Sequence, residues 1–226
     1  MLLSGGLDSV TALAWAHREG YRVEAALSFT YGQRHAREIE SAAAVASHYG
    51  IRHQVVNLSP IRGSRLTDLG GIPLGRNLAT VRETVAPTYV PNRNMILLAY
   101  AASHALLTDA ATLIGGWNAT DGMNYPDCRE PFLAATEQTL RLATERDFRI
   151  LRPLIDDDKP TIVRRALELG APVGLTWTCY LGELRACGTC DACQLRVRGF
   201  QQVGVIDPIA YSHPINWSGC RPYARL

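Results

Sequence analysis

Two groups of residues in this chain have the types and spacing to do chemistry. The first is Ser4-Gly5-Gly6-Leu7-Asp8-Ser9. Adjacent glycines let a backbone turn tightly and approach a ligand closely. A helix starting at this point offers free N–H groups and the positive end of its dipole to an anion such as phosphate, and the Ser4 and Ser9 hydroxyls add donors. Asp8 has two readings: it caps the helix, or it helps hold a Mg²⁺ that bridges phosphate oxygens. The loop lacks the Gly-Lys-Ser/Thr ending of a Walker A motif. The second group is Cys179, Cys187, Cys190 and Cys193, spaced C-x7-C-x2-C-x2-C. Four thiolates fill a tetrahedral Zn²⁺ and leave no open position, which is the chemistry of a structural site. An iron–sulfur cluster takes the same ligands. Gly182 and Gly188 supply the tight turns such a knuckle needs.

Bulk composition narrows the class. The chain has 226 residues, 47% hydrophobic and 19% charged, with a net charge of +2. That is enough apolar material for a folded core, and too little positive charge for a general affinity for nucleic acid or anionic membranes. The longest apolar run, Met95 to Leu107, has 13 residues, short of the roughly 20 a bilayer span needs. The opening Met-Leu-Leu-Ser-Gly-Gly has neither a basic region nor a small-residue cleavage site, and six cysteines are too few for a disulfide scaffold. A cytoplasmic location is expected. Of the 23 basic residues, 22 are arginine and one, Lys159, is lysine. Arginine and lysine differ in donor geometry and are not interchangeable at a tight site, so the lone lysine stands out.

The elements that must position these groups alternate short apolar runs with longer helical stretches, the rhythm of a parallel α/β sheet. Strands are expected at Met1–Leu3, Arg22–Phe29, His53–Leu58, Ala111–Gly116 and Phe148–Leu151. Helices are expected after the glycine pair, then over His35–Tyr49, Arg93–Leu107 and Pro131–Arg146. The last large helix is expected over Lys159–Leu169. Residues 59 to 90 read as an irregular excursion, and after Thr176 the cysteines replace the rhythm. The fold class is therefore α/β: an open parallel five-stranded sheet with helices on both faces and a small C-terminal zinc knuckle. Its expected divisions are 1–175, 176–205 and a tail, 206–226.

Five blocks taken together resemble a known family. They are Leu2 to Ser9, Tyr31-Gly32-Gln33-Arg34-His35, Val90-Pro91-Asn92-Arg93-Asn94, Tyr125-Pro126-Asp127-Cys128-Arg129 and the four-cysteine block. The first resembles the signature of the PP-loop (N-type) ATP pyrophosphatases. The whole set, in order over roughly residues 2 to 205, resembles the queuosine-pathway nitrile synthases within them. The resemblance implies an ATP-dependent ligase that joins ammonia to 7-carboxy-7-deazaguanine and yields a nitrile through adenylated acid and amide. It implies Mg²⁺ with the ATP, a structural Zn²⁺ and a homodimer. The chain departs from the family's usual pattern at Asn92, where glycine is common; at Glu130, which precedes Pro131; and at Asp158 and Pro160, which flank Lys159.

On that reading the ATP-binding segment is Leu3, Ser4, Gly5, Gly6, Leu7, Asp8, Ser9, Val10, Thr11, Ala12 and Leu13. Asp8, Lys159, Arg93, Asp127 and Arg129 are the catalytic candidates. Lys159, following the fifth strand, would meet phosphate as a point charge, or else sit in solvent at a helix start. Arg93 suits phosphate or carboxylate, or else a helix-start ion pair. Gln33, Arg34, His35, Tyr125 and Asp127 are the substrate-binding candidates. Asp127 would meet the N–H edge of a guanine-like base and Arg129 the substrate carboxylate. His35 is a general base or a capping histidine. Cys128 is a covalent participant or a small packed hydrophobe, and Asp121 is a further loop carboxylate. Three rivals remain: a PP-loop tRNA thiolation enzyme, which calls for a basic surface and an exposed persulfide cysteine; a non-enzymatic zinc module binding nucleic acid, which leaves the glycine loop unexplained; and a related nitrile-forming enzyme acting on another deazapurine or partner. No direct nucleic-acid or membrane partner is expected.

Overall fold

A computed structural model describes residues 1–33, 37–68, 71–78 and 85–223. Its elements are α1 (Leu7–Arg18), β1 (Ala26–Thr30), α2 (Arg37–His48), β2 (His53–Asn57), α3 (Arg93–Leu107), β3 (Thr112–Ile114), α4 (Ala119–Asn124), α5 (Glu130–Thr144), β4 (Arg149–Leu151), α6 (Lys159–Glu168) and α7 (Asp191–Val203).

The strands form two parallel ladders, β1 with β2 and β3 with β4. The N-terminal residues join them. Leu2 bridges Leu27 in parallel, Leu3 N–H donates to Leu27 O at 2.9 Å, and Leu2 N–H donates to Ile114 O at 2.8 Å. The spatial order is β2, β1, residues 1–3, β3, β4. The expected parallel arrangement is present, but Met1–Leu3 contributes a bridge rather than a strand. The second strand also starts four residues later than expected, at Ala26.

Alternating strand residues face two different cores, as the pleat requires. Leu27, Phe29, Leu113 and Ile150 pack with α3 and α5 on one side. Ala26, Ile114 and Leu3 pack with α1, α2, α6 and α7 on the other. Helices therefore cover both faces.

One expected feature is corrected. Lys159–Leu169 is not the last large helix; α7 follows it and packs against α6. The sequence places a four-cysteine segment at 176–205 and signals no helix within it. Yet Cys190 is the N-cap residue of α7, and Cys193 lies within its first turn. A metal-ligand spacing of three also fits one helical turn, so the cysteines masked the helix. α7 is held by Arg196, which is 1% exposed. Its guanidinium forks onto Asp207 at 2.6 and 3.0 Å and donates to the Thr176 hydroxyl at 2.7 Å. Tyr211 adds a third donor to Asp207 at 2.7 Å. The tail after residue 205 is thereby anchored to the body. Residues 61–68, 71–78 and 85–92 hold no regular helix or strand, as expected of the excursion.

Candidate active site and metal centre

The glycine loop lies where the strand order reverses, between residues 1–3 and β3. In open α/β sheets ligands bind in the crevice at the carboxyl ends of the strands at such a point. Gly5 adopts φ +82°, and a Cβ there would stand 2.3 Å from Glu38 O and 2.6 Å from Ala42 N. A Cβ on Gly116, just after β3, would stand 2.6 Å from the Asp8 carbonyl carbon and from Ser9 N. The loop is thus clamped backbone to backbone between α2 and β3. The Ser4 and Ser9 hydroxyls are 3.0 Å apart, Gly6 N–H donates to Ser4 Oγ at 3.2 Å, and Ser9 Oγ donates to Gly6 O at 3.1 Å. No side chain caps α1 at Gly6, so the helix N-terminus stays open to an anion. Of the two readings of Asp8, capping falls away.

Asp8 faces Lys159. The Lys159 ammonium donates to both Asp8 carboxylate oxygens, at 2.8 and 2.7 Å. Asn118 Nδ2 donates to Asp8 at 3.2 Å and to Asp121 at 2.9 Å, and Asn118 Oδ1 accepts from Asp121 N–H at 3.0 Å. Burial would lower the Lys159 pKa, but Asp8 and Asp121 raise it above the ordinary lysine value. Burial raises the Asp121 carboxyl, with Lys159 opposing and Asp8 assisting. Lys159 is buried rather than solvated at a helix start. The cap of α6 is Asp158, which accepts from Thr161 N–H at 3.0 Å.

A cavity of about 230 Å³ opens above the loop, lined by Leu3, Ser4, Asp8, Ser9, Gln33, Glu38, Arg93 and Asp121 among others. A smaller one of about 110 Å³ adjoins it, walled by Leu66, Thr88, Tyr125 and Tyr180. Tyr31, Gln33, Glu38, Arg93, Asp121 and Cys128 line both. Arg93 Nη1 donates to the Tyr31 hydroxyl at 3.2 Å. Burial opposes the Arg93 charge, but Tyr31 and nearby acidic groups raise its pKa, so it stays a cation. The Thr88 and Tyr125 hydroxyls stand 2.7 Å apart. Gln33 lines the cavities but spends its amide on the local backbone, donating to Phe29 O and accepting from Tyr31 N–H.

Several sequence-predicted residues lie elsewhere. Leu7, Val10, Ala12 and Leu13 are core residues of α1, and Thr11 bonds Leu7 O. Gly5 and Gly6 shape the turn without lining the cavity. Asp127 is buried beneath α3, where its carboxylate accepts from Asn94 N–H at 3.0 Å; it is not on the cavity wall. Arg129 points away and donates to Gly122 O at 2.7 Å. The short helical turn at Pro126–Cys128 directs these two side chains toward α3 and α4 in this structure. Arg34 and His35 lie outside the described residues. Cys128 is buried, accepts from Asn94 Nδ2 at 3.2 Å, and has its thiol pKa pushed up by burial. An exposed persulfide cysteine is not what this position offers.

Glu38, Asn118 and Tyr180 escaped the sequence reading. Asn118 follows Gly115-Gly116, a glycine pair at a strand end, and that pair was the available signal. Tyr180 adjoins a cysteine ligand and was read only as part of the knuckle. Glu38 had no local signal beyond its place in a helix.

The four cysteine sulfurs lie within 4.8 Å of one another, and all four residues are buried. Tetrahedral Zn–S bonds of about 2.3 Å would put sulfurs roughly 3.8 Å apart, and Cys187 and Cys193 stand at 3.9 Å. Backbone N–H groups point at the sulfurs: Leu181 and Cys187 to Cys179, and Thr189 and Cys190 to Cys187. Such donors suit thiolates bound to a metal. The cluster abuts the active cavity. Trp177 N–H donates to Gly5 O at 2.9 Å, Arg37 stacks on the Trp177 ring at 4.5 Å, and Tyr180 walls the second cavity. Among the described residues, no helix is long and apolar enough to cross a membrane.

Residues 1–204 match the family model of queuosine biosynthesis protein QueC. The chain is 43% identical over 218 residues to a 7-cyano-7-deazaguanine synthase of Acetivibrio thermocellus, covering 93% of this chain and 96% of that one. It is 44% identical over 224 residues to one of Thermosynechococcus vestitus, covering 95% and 96%. Among solved structures, U34-tRNA thiolase NcsA from Methanococcus maripaludis overlaps 75% of this chain and 56% of its own, with a TM-score of 0.46 and 21% identity.

Proposed function

We propose, from the premise that this chain belongs to the family of queuosine biosynthesis protein QueC, that it is an ATP-dependent ligase turning 7-carboxy-7-deazaguanine and ammonia into 7-cyano-7-deazaguanine. The observation that carries this reading is the Lys159–Asp8 pair, set beside an uncapped helix N-terminus at the reversal of the sheet. It is a phosphate cradle with a fixed charge pattern. A carboxylate resists ammonia because it is anionic and its oxide leaves poorly. Adenylation turns that oxygen into AMP, ammonia displaces AMP to give the amide, and a second adenylation on the amide oxygen lets AMP leave as the nitrile forms.

The chain's own residues serve this sequence by position. Ser4, Ser9 and the first N–H groups of α1 receive the pyrophosphate and its growing charge. Lys159 holds Asp8 in place instead of reaching into the cavity itself. Asp8 and Asp121 share the Asn118 amide and line the cavity, a hard oxygen donor set suited to Mg²⁺. Mg²⁺ would neutralise phosphate charge there. Arg93 stands where both cavities meet, placed to offset the substrate carboxylate, with the aromatic wall of Tyr125 and Tyr180 for the planar heterocycle. The cysteine cluster is read as a closed structural Zn²⁺ site. A homodimer and a cytoplasmic location come with the family resemblance.

The test is direct. Purified, metal-loaded protein is incubated with 7-carboxy-7-deazaguanine, an ammonium salt and Mg-ATP, and products are followed by mass. Amide followed by nitrile, with AMP and pyrophosphate, is the expected outcome. Absence of both products defeats the reading.

A further inference from the structure

Glu38 occupies the junction of the two cavities, and among the described residues no side chain hydrogen-bonds its carboxyl. It lies in the first turn of α2 and lines both the cavity above the glycine loop and the aromatic one. Among the described residues its carboxyl has no hydrogen bond and no ion pair. The neighbouring groups have contacts of their own: Asp8 faces Lys159, Asp121 faces Asn118, one oxygen of Asp127 accepts from Asn94 N–H and Arg93 donates to the Tyr31 hydroxyl. Carboxylates withdrawn from water are normally paired, so an unpaired one lining a cavity is free to meet a proton donor there. Its backbone is fixed, since Glu38 O abuts Gly5 of the nucleotide loop.

We propose that Glu38 is a catalytic base that takes protons from the nitrogen destined to become the nitrile. The inference rests on the proposed reaction and adds a residue to it. Ammonium gives one proton to the Glu38 carboxylate, and the freed lone pair attacks the acyl carbon. The C–O bond to AMP breaks, AMP leaves with that electron pair, and the surplus proton on the new amide nitrogen passes to water. After the amide oxygen has displaced pyrophosphate from a second ATP, the nitrogen carries two protons. Glu38, having returned its first proton to water, takes one of them. That electron pair builds the third carbon–nitrogen bond as AMP departs with the C–O pair, and the last proton passes to water.

The electrostatics support the geometry. Withdrawal from water raises the Glu38 pKa to about 7; Arg93 on α3 opposes this and Cys179 of the knuckle adds to it. Asp121 on α4, Tyr31 after β1 and Cys128 share its cavity walls, and Arg37 beside it is turned onto Trp177. A base with a pKa near the working pH is the efficient one.

The test compares Glu38→Gln and Glu38→Asp with wild type in metal-loaded protein. Expected for Glu38→Gln is near-native release of pyrophosphate on mixing with the carboxylic substrate and Mg-ATP. Amide and nitrile formation from ammonium falls by about 100-fold, within the range of general base catalysis. Hydroxylamine, already unprotonated at neutral pH, still yields hydroxamate at close to the wild-type rate. Glu38→Asp retains more ammonium activity than Glu38→Gln. Near-native nitrile formation by Glu38→Gln overturns the proposal. So does an equal loss of pyrophosphate release, hydroxamate and nitrile, which marks a purely structural role. A wild type that makes neither amide nor nitrile overturns the proposed function itself, and the base with it.

Discussion

The Lys159 ammonium holds both carboxylate oxygens of Asp8, at 2.8 and 2.7 Å, across 151 positions of chain. The pair ties the start of α6 to the first turn of α1, beside the glycine loop. The single lysine among 23 basic residues is therefore a buried counter-ion. Removing it leaves Asp8 beside Asp121 without its ion-pair partner. Lys159→Met is expected to lose turnover and to cost about 3 kcal/mol in urea unfolding, as for one half of a buried pair. Lys159→Arg is expected to lose turnover at least tenfold, because Gly199 of α7 packs against the lysine stem and a wider guanidinium has no space; a Cβ on Gly199 would already stand 3.1 Å from Lys159 Cγ. Native rates for Lys159→Arg would refute the packing argument.

Gly5→Ala places a Cβ 2.3 Å from Glu38 O in a backbone with φ +82°. The left-handed conformation and the overlap together are expected to cost about 2–4 kcal/mol. Thermal unfolding checks the stability, and ATP-dependent protection against unfolding checks the loop. A variant with wild-type Tm and ligand protection would contradict the clamp.

Asp207→Asn takes the charge from the partner of Arg196, which is 1% exposed. An uncompensated buried guanidinium costs about 3–5 kcal/mol. Early proteolytic cleavage after residue 205 should accompany the loss, since Tyr211 and Ile209 also bond Asp207. Unchanged urea midpoint and cleavage pattern would show that the tail is held by other contacts.

The knuckle is expected to carry about one Zn²⁺ per chain, found by metal analysis. Chelation should expose four thiols to a thiol reagent together and lower Tm. It should also weaken ATP binding, because Trp177 and Tyr180 connect the cysteines to Gly5 and the second cavity. Iron with sulfide in place of zinc would reverse the metal assignment.

Glu38 sets a pH dependence with a defined sign. Its pKa is raised from 4.5 to about 7 in the fold. Between those values the folded chain keeps a proton that the unfolded chain has released, so stability falls as pH rises through the window. Urea midpoints of metal-loaded protein should drop from about pH 5 to about pH 7.5, and Glu38→Gln should flatten the slope. A rise over the same window would contradict the burial that raises this carboxyl.

The sequence by itself determined the local devices. Adjacent glycines between an apolar start and a helix dictate a tight turn at an uncapped helix start, and the close spacing of Cys187, Cys190 and Cys193 keeps three sulfurs together, because both depend on neighbours along the chain. Even Asn92 fits its place: it adopts φ 53°, a left-handed conformation that asparagine tolerates better than most residues. The tertiary structure decided what each side chain faces. Asp127 and Arg129 sat in a promising loop, yet the turn spends one on Asn94 and the other on Gly122. Glu38 looked like any helix residue until α2 packed against Gly5 and brought its carboxyl to the cavities. The lone lysine could be noticed in the sequence, but its partner could not. Burial selects partners by proximity in space, and a charge withdrawn from water must find its opposite there, however far away it lies along the chain.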